Sequence, residues 1–128
     1  MRVKSALTIM TFTAAVALAG PAFAEGDAAK GEKVFNKCKA CHSVDAGKNK
    51  VGPSLHNILG RTPGTVEGFK YSKAMEEFGA DHVWDDETLH TYLEKPKDLV
   101  KGTKMAFVGL KKEDDRDDVI AYLKQFSE

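Results

Sequence analysis

The chain has 128 residues, and its 19 basic residues balance 19 acidic ones. That length fits one domain of ordinary size. With a formal net charge of zero, the chain lacks the excess of basic residues that nucleic-acid-binding proteins carry, so we expect no nucleic-acid partner.

Residues 1–24 have the pattern of a secretory signal peptide. A basic start is followed by an apolar run over 6–19, and Ala22-Phe23-Ala24 forms an A-x-A cleavage pattern before Glu25. The apolar run is shorter than the ~20 residues that span a bilayer, which disfavours an uncleaved anchor. The expected mature domain, 25–128, loses Arg2 and Lys4 and so has 17 basic residues against 19 acidic ones.

The mature chain is predicted to be all-α with long loops, because no segment shows the alternation of a strand. The glycine-rich stretch 43–71 is predicted to be a loop, and a loop that long suits a small domain if it wraps a ligand. Gly31 lies within the first predicted helix, where glycine is less favourable than alanine. Either the helix tolerates this loss of stability, or the glycine allows another helix to approach closely. Stretch 102–109 is also predicted as a loop. The predicted helices are 27–40, 72–78, 85–95, 97–100 and 112–126.

The motif Cys38-Lys39-Ala40-Cys41-His42 contains both cysteines of the chain. Positions i, i+3 and i+4 of a helical turn share one face, so Cys38, Cys41 and His42 address one object beside it. The C-x-x-C-H spacing is typical of covalent attachment of a c-type haem. The two thiols would form thioethers with the haem, and the histidine would bind its iron.

Three other interpretations of the motif are weaker. A thiol redox pair normally belongs to a βαβ unit, and this chain lacks the strands. A structural zinc site needs about four ligands, and no second Cys/His cluster stands at ligand spacing. A disulfide between residues three apart in one helix would close almost no loop.

A haem iron with one histidine ligand either takes a second ligand or keeps an open site. The candidates are Met75, Met105, His56, His82 and His90. Met75 lies in a helical stretch and fits a core residue, as methionine usually does. Met105 lies in the polar loop 102–109 and is the favoured second ligand. A His/Met pair fills both axial positions and raises the reduction potential, which predicts an electron carrier and not an enzyme. A protein that binds a gas or peroxide at an open site is the alternative.

Other residues suit the surroundings of such a group. A ligating histidine needs an acceptor for its second ring nitrogen, and the Pro53 carbonyl in the rigid Gly52-Pro53 turn is a candidate. The two haem propionates need donors, which Arg61, Tyr71 and Trp84 have on large side chains.

Lysines flank both the motif and Met105, whereas 76–87 has six acids and no lysine or arginine. We predict a positive rim that steers docking to acidic partners. The candidate docking residues are Lys37, Lys39, Lys50, Lys97, Lys104 and Lys111.

A series of short stretches along the mature chain carries a family resemblance. The stretches are Lys30-Gly31, Val34-Phe35, Lys37–His42, Gly52–His56, Gly60-Arg61, Gly68–Tyr71, Trp84, Tyr92–Pro96, Gly102–Met105 and Ile120–Leu123. In this order and together, they resemble the class I c-type cytochromes, and most of all the soluble bacterial ones of the c-two, mitochondrial-like type. The resemblance covers essentially the whole mature chain.

The resemblance implies that the first and last helices cross at Gly31, and that His42 and Met105 are the axial ligands of one covalent haem c. It implies that Tyr92 and Thr103 lie on the methionine side. The implied protein is a monomeric carrier in the periplasm, between a cytochrome bc complex and a terminal oxidase or photosynthetic reaction centre. Lys101 departs from the family, because many relatives have proline before Gly102.

Overall fold

A computed structural model describes residues 14–17 and 25–128. Apart from 14–17, the predicted signal peptide lies outside the described residues. The described part of the chain is helical and has no strand, which confirms the all-α prediction. No helix in this part is long and apolar enough to cross a membrane. The helices are α1 Ala28–Phe35, α2 Lys73–Gly79, α3 Asp86–Glu94, α4 Pro96–Leu99 and α5 Glu113–Lys124.

The first helix crosses the last one closely. A Cβ atom on Gly31 would stand 1.9 Å from the main-chain oxygen of Asp118, so only glycine fits between the two backbones. The rings of Phe35 and Tyr122 lie 5.2 Å apart beside this point. The backbone N–H of Asp27 donates to the carboxylate of Asp118 at 2.7 Å. The close-approach interpretation of Gly31, implied by the resemblance, is confirmed.

The first helix is shorter than predicted. Asp27 does cap it, accepting hydrogen bonds from the N–H groups of Ala29 and Lys30. The prediction that it continues to residue 40 was wrong, because α1 ends at Phe35. From 36 onward several main-chain bonds shorten to i→i−3, as in Cys38 N–H to Phe35 C=O at 2.8 Å. The chain thus passes through tighter turns into the Cys-x-x-Cys-His segment.

The other helices agree with the prediction to within one or two residues. Ser72 and Asp85 cap α2 and α3 with their side chains, and Pro96 occupies the start of α4. Met75 is 8% exposed, which supports its interpretation as a core residue. The rest of the buried apolar core is Phe35, Ile58, Trp84, Leu89, Tyr92, Val100, Leu110, Val119, Ile120 and Leu123.

The long loop after the motif has no helix or strand, as predicted, but hydrogen bonds tie it down. Gly60 N–H donates to Trp84 C=O at 2.8 Å, and Trp84 N–H returns a bond to Arg61 C=O at 2.9 Å. Asn57, in the same loop, donates its N–H to the carbonyl of Phe126 near the C-terminus at 2.9 Å. These hydrogen bonds hold the loop in one position against the rest of the domain.

Candidate functional site

The cysteine motif follows α1 directly and turns on hydrogen bonds of its own. The N–H groups of Cys41 and His42 both donate to the carbonyl of Cys38, at 3.0 and 2.9 Å. Both thiols are free; Cys38 is half-buried against the core and Cys41 is exposed. Burial raises the pKa of Cys38 to about 11. Reactive CxxC thiols have a lowered pKa, so this environment disfavours thiol redox chemistry.

His42 is held in one tautomer and one orientation. Its Nδ1 lies 2.7 Å from the Pro53 carbonyl, which can only accept, so Nδ1 carries the proton and Nε2 the lone pair. Burial, with nearby Arg61 and Lys50, lowers the pKa of His42 and favours the neutral ring. A neutral imidazole with an oriented lone pair is the state that binds a metal.

Gly52 lies directly against this imidazole and leaves room for it. A Cβ atom at Gly52 would stand 2.4 Å from His42 Cε1, closer than any side chain allows. The Gly52 N–H also donates to the Cys41 carbonyl at 2.8 Å, which closes the turn onto the motif. The sequence showed Gly52-Pro53 only as a rigid turn, so this packing role of the glycine was missed.

Met105 lies in the loop between α4 and α5, half-buried against the hydrophobic core that Cys38 also contacts. Its N–H donates to Thr103 Oγ1 at 3.3 Å, and that hydroxyl lies 3.3 Å from the Tyr92 hydroxyl. Burial raises the pKa of Tyr92, so its O–H group stays protonated. The structure thus links α3 to the methionine loop through Tyr92 and Thr103.

Arg61 and Tyr71 lie near each other in the long loop. Arg61 Nη1 donates to the carbonyls of Ser54 and His56 at 3.0 and 2.9 Å. Burial lowers the pKa of Arg61, and the nearby Tyr71 hydroxyl partly offsets this effect. Tyr71 accepts a hydrogen bond from Val66 N–H at 3.1 Å.

The third predicted donor, Trp84, is 5% exposed, and the two main-chain bonds described above join it to Gly60 and Arg61. Its ring centroid lies 4.9 Å from that of Tyr92, between the Arg61 region and α3.

Asn49 is a structural residue that the motif analysis missed. Its Nδ2 donates to the Glu67 carbonyl at 3.0 Å, and its Oδ1 accepts from Ser54 N–H at 3.0 Å. It therefore fastens two parts of the long loop on either side of the Pro53 turn. A lone asparagine in a polar loop has no sequence signal that predicts such a bridge.

The six candidate docking lysines are all exposed. Lys50 Nζ donates to the Lys39 carbonyl, and Lys104 Nζ donates to the Lys70 carbonyl at 3.4 Å. These bonds to neutral carbonyls leave the positive charges in place. Lys101 is also exposed, at the turn before the methionine loop.

The donor set fits a haem by its chemistry. It contains two thiols, an oriented imidazole, a thioether and a guanidinium–phenol pair, which correspond to two vinyl groups, an iron and propionates. Several large apolar side chains pack on the core and yet stay partly exposed, among them Leu55, Leu59, Tyr71, Leu99, Met105 and Phe107.

Comparisons with known proteins agree with this chemistry. The family model for cytochrome c matches residues 28–127. The chain is 52% identical to cytochrome c2 of Afifella marina over 100 residues, covering 77% of this chain and 81% of the relative. It is 49% identical to cytochrome c2 of Rhodomicrobium vannielii over 119 residues, covering 92% and 94%. The structure of cytochrome cH from Methylobacterium extorquens is similar, with a TM-score of 0.73, 44% identity and coverage of 78% and 99%.

Proposed function

Because this chain belongs to the cytochrome c family, whose members carry electrons on one covalently bound haem c, we propose the residues and partners that it uses. Cys38 and Cys41 would attach the haem, and His42 and Met105 would bind its iron. When bound, the haem supplies a one-electron Fe(II)/Fe(III) couple. The protein is a carrier and not an enzyme, because an iron held by both His42 and Met105 would have no position for a substrate.

The hydrogen bond from His42 Nδ1 to the Pro53 carbonyl, at 2.7 Å, is the observation that carries this proposal. It selects the tautomer that presents Nε2 and raises the basicity of the ligand. The packing of Gly52 against the ring prevents rotation away from this position. His42 is therefore preorganised as a ligand, which neither a thiol oxidoreductase nor a disulfide requires.

The methionine side is held in a similar way by polar bonds. Thr103 accepts from the Met105 N–H and contacts the Tyr92 hydroxyl, so the loop is anchored to α3 next to its proposed ligand. A thioether in apolar surroundings favours the ferrous state and raises the potential. We assign to Arg61, Tyr71 and Trp84 the neutralising and binding of the propionates, since each has a hydrogen-bond donor on a large side chain.

The proposed location is the periplasm, after removal of residues 1–24 as a signal peptide. The electron donor is a cytochrome bc complex, and the acceptor is a terminal oxidase or a photosynthetic reaction centre. Two of the similar proteins are named cytochrome c2, which supports this kind of partner. The six lysines steer a monomer to acidic partner surfaces, so association should slow as salt is added.

Mass spectrometry of the exported protein tests the attachment. We expect a chain beginning at Glu25 with the mass of one haem added, and a haem-bearing peptide that contains Cys38 and Cys41. The double variant Cys38→Ala/Cys41→Ala should lose the adduct. A mature wild-type protein without the adduct would refute the proposal and favour the thiol alternative.

A further inference from the structure

A group of metal-ligand side chains outside the cysteine motif lies where α3 packs against α5. His90 belongs to α3, whereas Glu113 and Asp117 belong to α5. One ligand atom from each residue can be chosen so that all three lie within 4.8 Å of one another. We propose that His90, Glu113 and Asp117 bind a divalent transition-metal ion of the zinc class.

The spacing of the two more buried ligands, His90 and Asp117, already suits such an ion. His90 Nε2 lies 3.3 Å from Asp117 Oδ1. Two ligands that each stand 2.0–2.1 Å from a tetrahedral zinc ion lie about 3.3 Å apart. A zinc ion could therefore bind between them without separating the helices.

The fold also positions the third ligand. Glu113 and Asp117 are four residues apart on α5, so their side chains project from the same face of that helix. The side chains of Asp117 and His90 are only 9% and 14% exposed, whereas Glu113 is exposed. The inner pair is thus fixed by packing, and the outer carboxylate leaves a path for the ion and a coordination position for water.

The charges distinguish this site from a simple ion pair. A protonated His90 would pair adequately with Asp117 alone. Glu113 brings a second carboxylate to the same point, and two carboxylates with a neutral imidazole match a divalent cation. Acidic residues at the start of a helix are common because they favour its dipole. That effect explains neither the convergence of Glu113 with Asp117 nor the histidine from another helix.

The ligand types select the ion. Imidazole with carboxylate suits zinc, nickel and copper. Calcium takes six to eight oxygen ligands, and magnesium requires near-octahedral oxygen coordination with several waters. We therefore expect zinc to bind and calcium not to compete.

Titration calorimetry of the mature, haem-loaded protein with zinc chloride tests the proposal. We expect one ion per chain, and at least a tenfold loss of affinity in both His90→Gln and Glu113→Gln. The matched controls are His82→Gln, an exposed histidine beyond α2, and Asp114→Asn, the neighbour of Glu113 on α5; both should bind zinc like the wild type. A tenfold excess of calcium chloride should leave the zinc titration unchanged.

Thermal unfolding provides a second readout, because an ion that binds only the folded state raises its midpoint. Zinc should raise the midpoint of the wild type and both controls, EDTA should reverse the rise, and Glu113→Gln should show a clearly smaller rise at the same zinc concentration. Glu113 is exposed, so its substitution leaves the core intact. Absence of zinc binding in the wild type would overturn the proposal. Binding that survives His90→Gln, or that disappears in His82→Gln, would overturn it as well.

Discussion

The helix crossing and the two loops next to the proposed iron ligands are held together by different forces. At the crossing, two backbones touch through Gly31, and apolar rings cover the contact. The long loop after His42 and the loop that carries Met105 are held by hydrogen bonds from single side chains to the main chain, such as those of Asn49 and Thr103. The crossing therefore tolerates almost no added volume, whereas the loops depend on individual polar groups.

The largest effect is expected from adding volume at the crossing. Gly31→Val places branched carbon atoms where even a Cβ meets the Asp118 carbonyl at 1.9 Å, so the helices must separate. We expect a loss of about 4 kcal/mol or more in the free energy of unfolding, measured by denaturant titration of the haem-loaded protein. Glu32→Val adds the same side chain at an exposed position of α1 and should cost far less. Equal losses in the two variants would contradict the close-packing account.

A smaller effect is expected where the long loop depends on one side chain. Asn49→Ala removes the bonds to Glu67 and Ser54, and we expect a loss of about 1–3 kcal/mol in denaturant titrations. Asn49→Asp keeps the acceptor for Ser54 N–H but loses the donor to the Glu67 carbonyl. Its free energy of unfolding should therefore lie between those of the wild type and Asn49→Ala. Wild-type stability in Asn49→Ala would show that other contacts hold the loop.

The smallest effect concerns the cap of α3, the helix that carries Tyr92. The hydrogen bond from Thr88 N–H lowers the pKa of Asp85 below its usual value of 3.8, so the folded state favours the ionised form. This contribution is present above about pH 4 and is lost as the pH falls through the lowered folded value. Asp85→Ala should cost about 1 kcal/mol near neutral pH.

Denaturant midpoints measured between pH 3 and 7 would test the charge at this cap. The advantage of the wild type over Asp85→Asn should be present near neutral pH and decline toward pH 3, since asparagine keeps an acceptor without the charge. A difference that does not change with pH would show that the charge is irrelevant there.

The two regions also differ in how far sequence could predict them. Helix boundaries depend largely on local signals, and the predicted boundaries lie within one or two residues of the observed ones except at the end of α1. The end of α1 was misplaced, because the apolar spacing continues through Cys38 while the hydrogen bonds of the chain have already tightened into turns. Local propensity cannot reveal that change.

Contacts between distant segments were the hardest to foresee. The hydrogen bond of His42 to Pro53 was predicted because a ligating histidine requires an acceptor and a rigid turn followed close by. The convergence of His90 with Glu113 and Asp117 was missed, because its members lie on two helices and have no motif spacing. The packing of α3 on α5 creates that group, and this packing is a property of the tertiary structure.

The assignment of Met105 as an iron ligand is tested most directly by the visible absorption of the mature ferric protein, in the band that reports a thioether–iron bond. We expect the band in the wild type and in Met75→Leu, because Met75 is buried in the core. In Met105→Ala we expect loss of the band and a lower reduction potential. A wild type without the band, or a Met105→Ala variant that keeps it, would contradict the assignment of Met105 and, with it, the carrier mechanism.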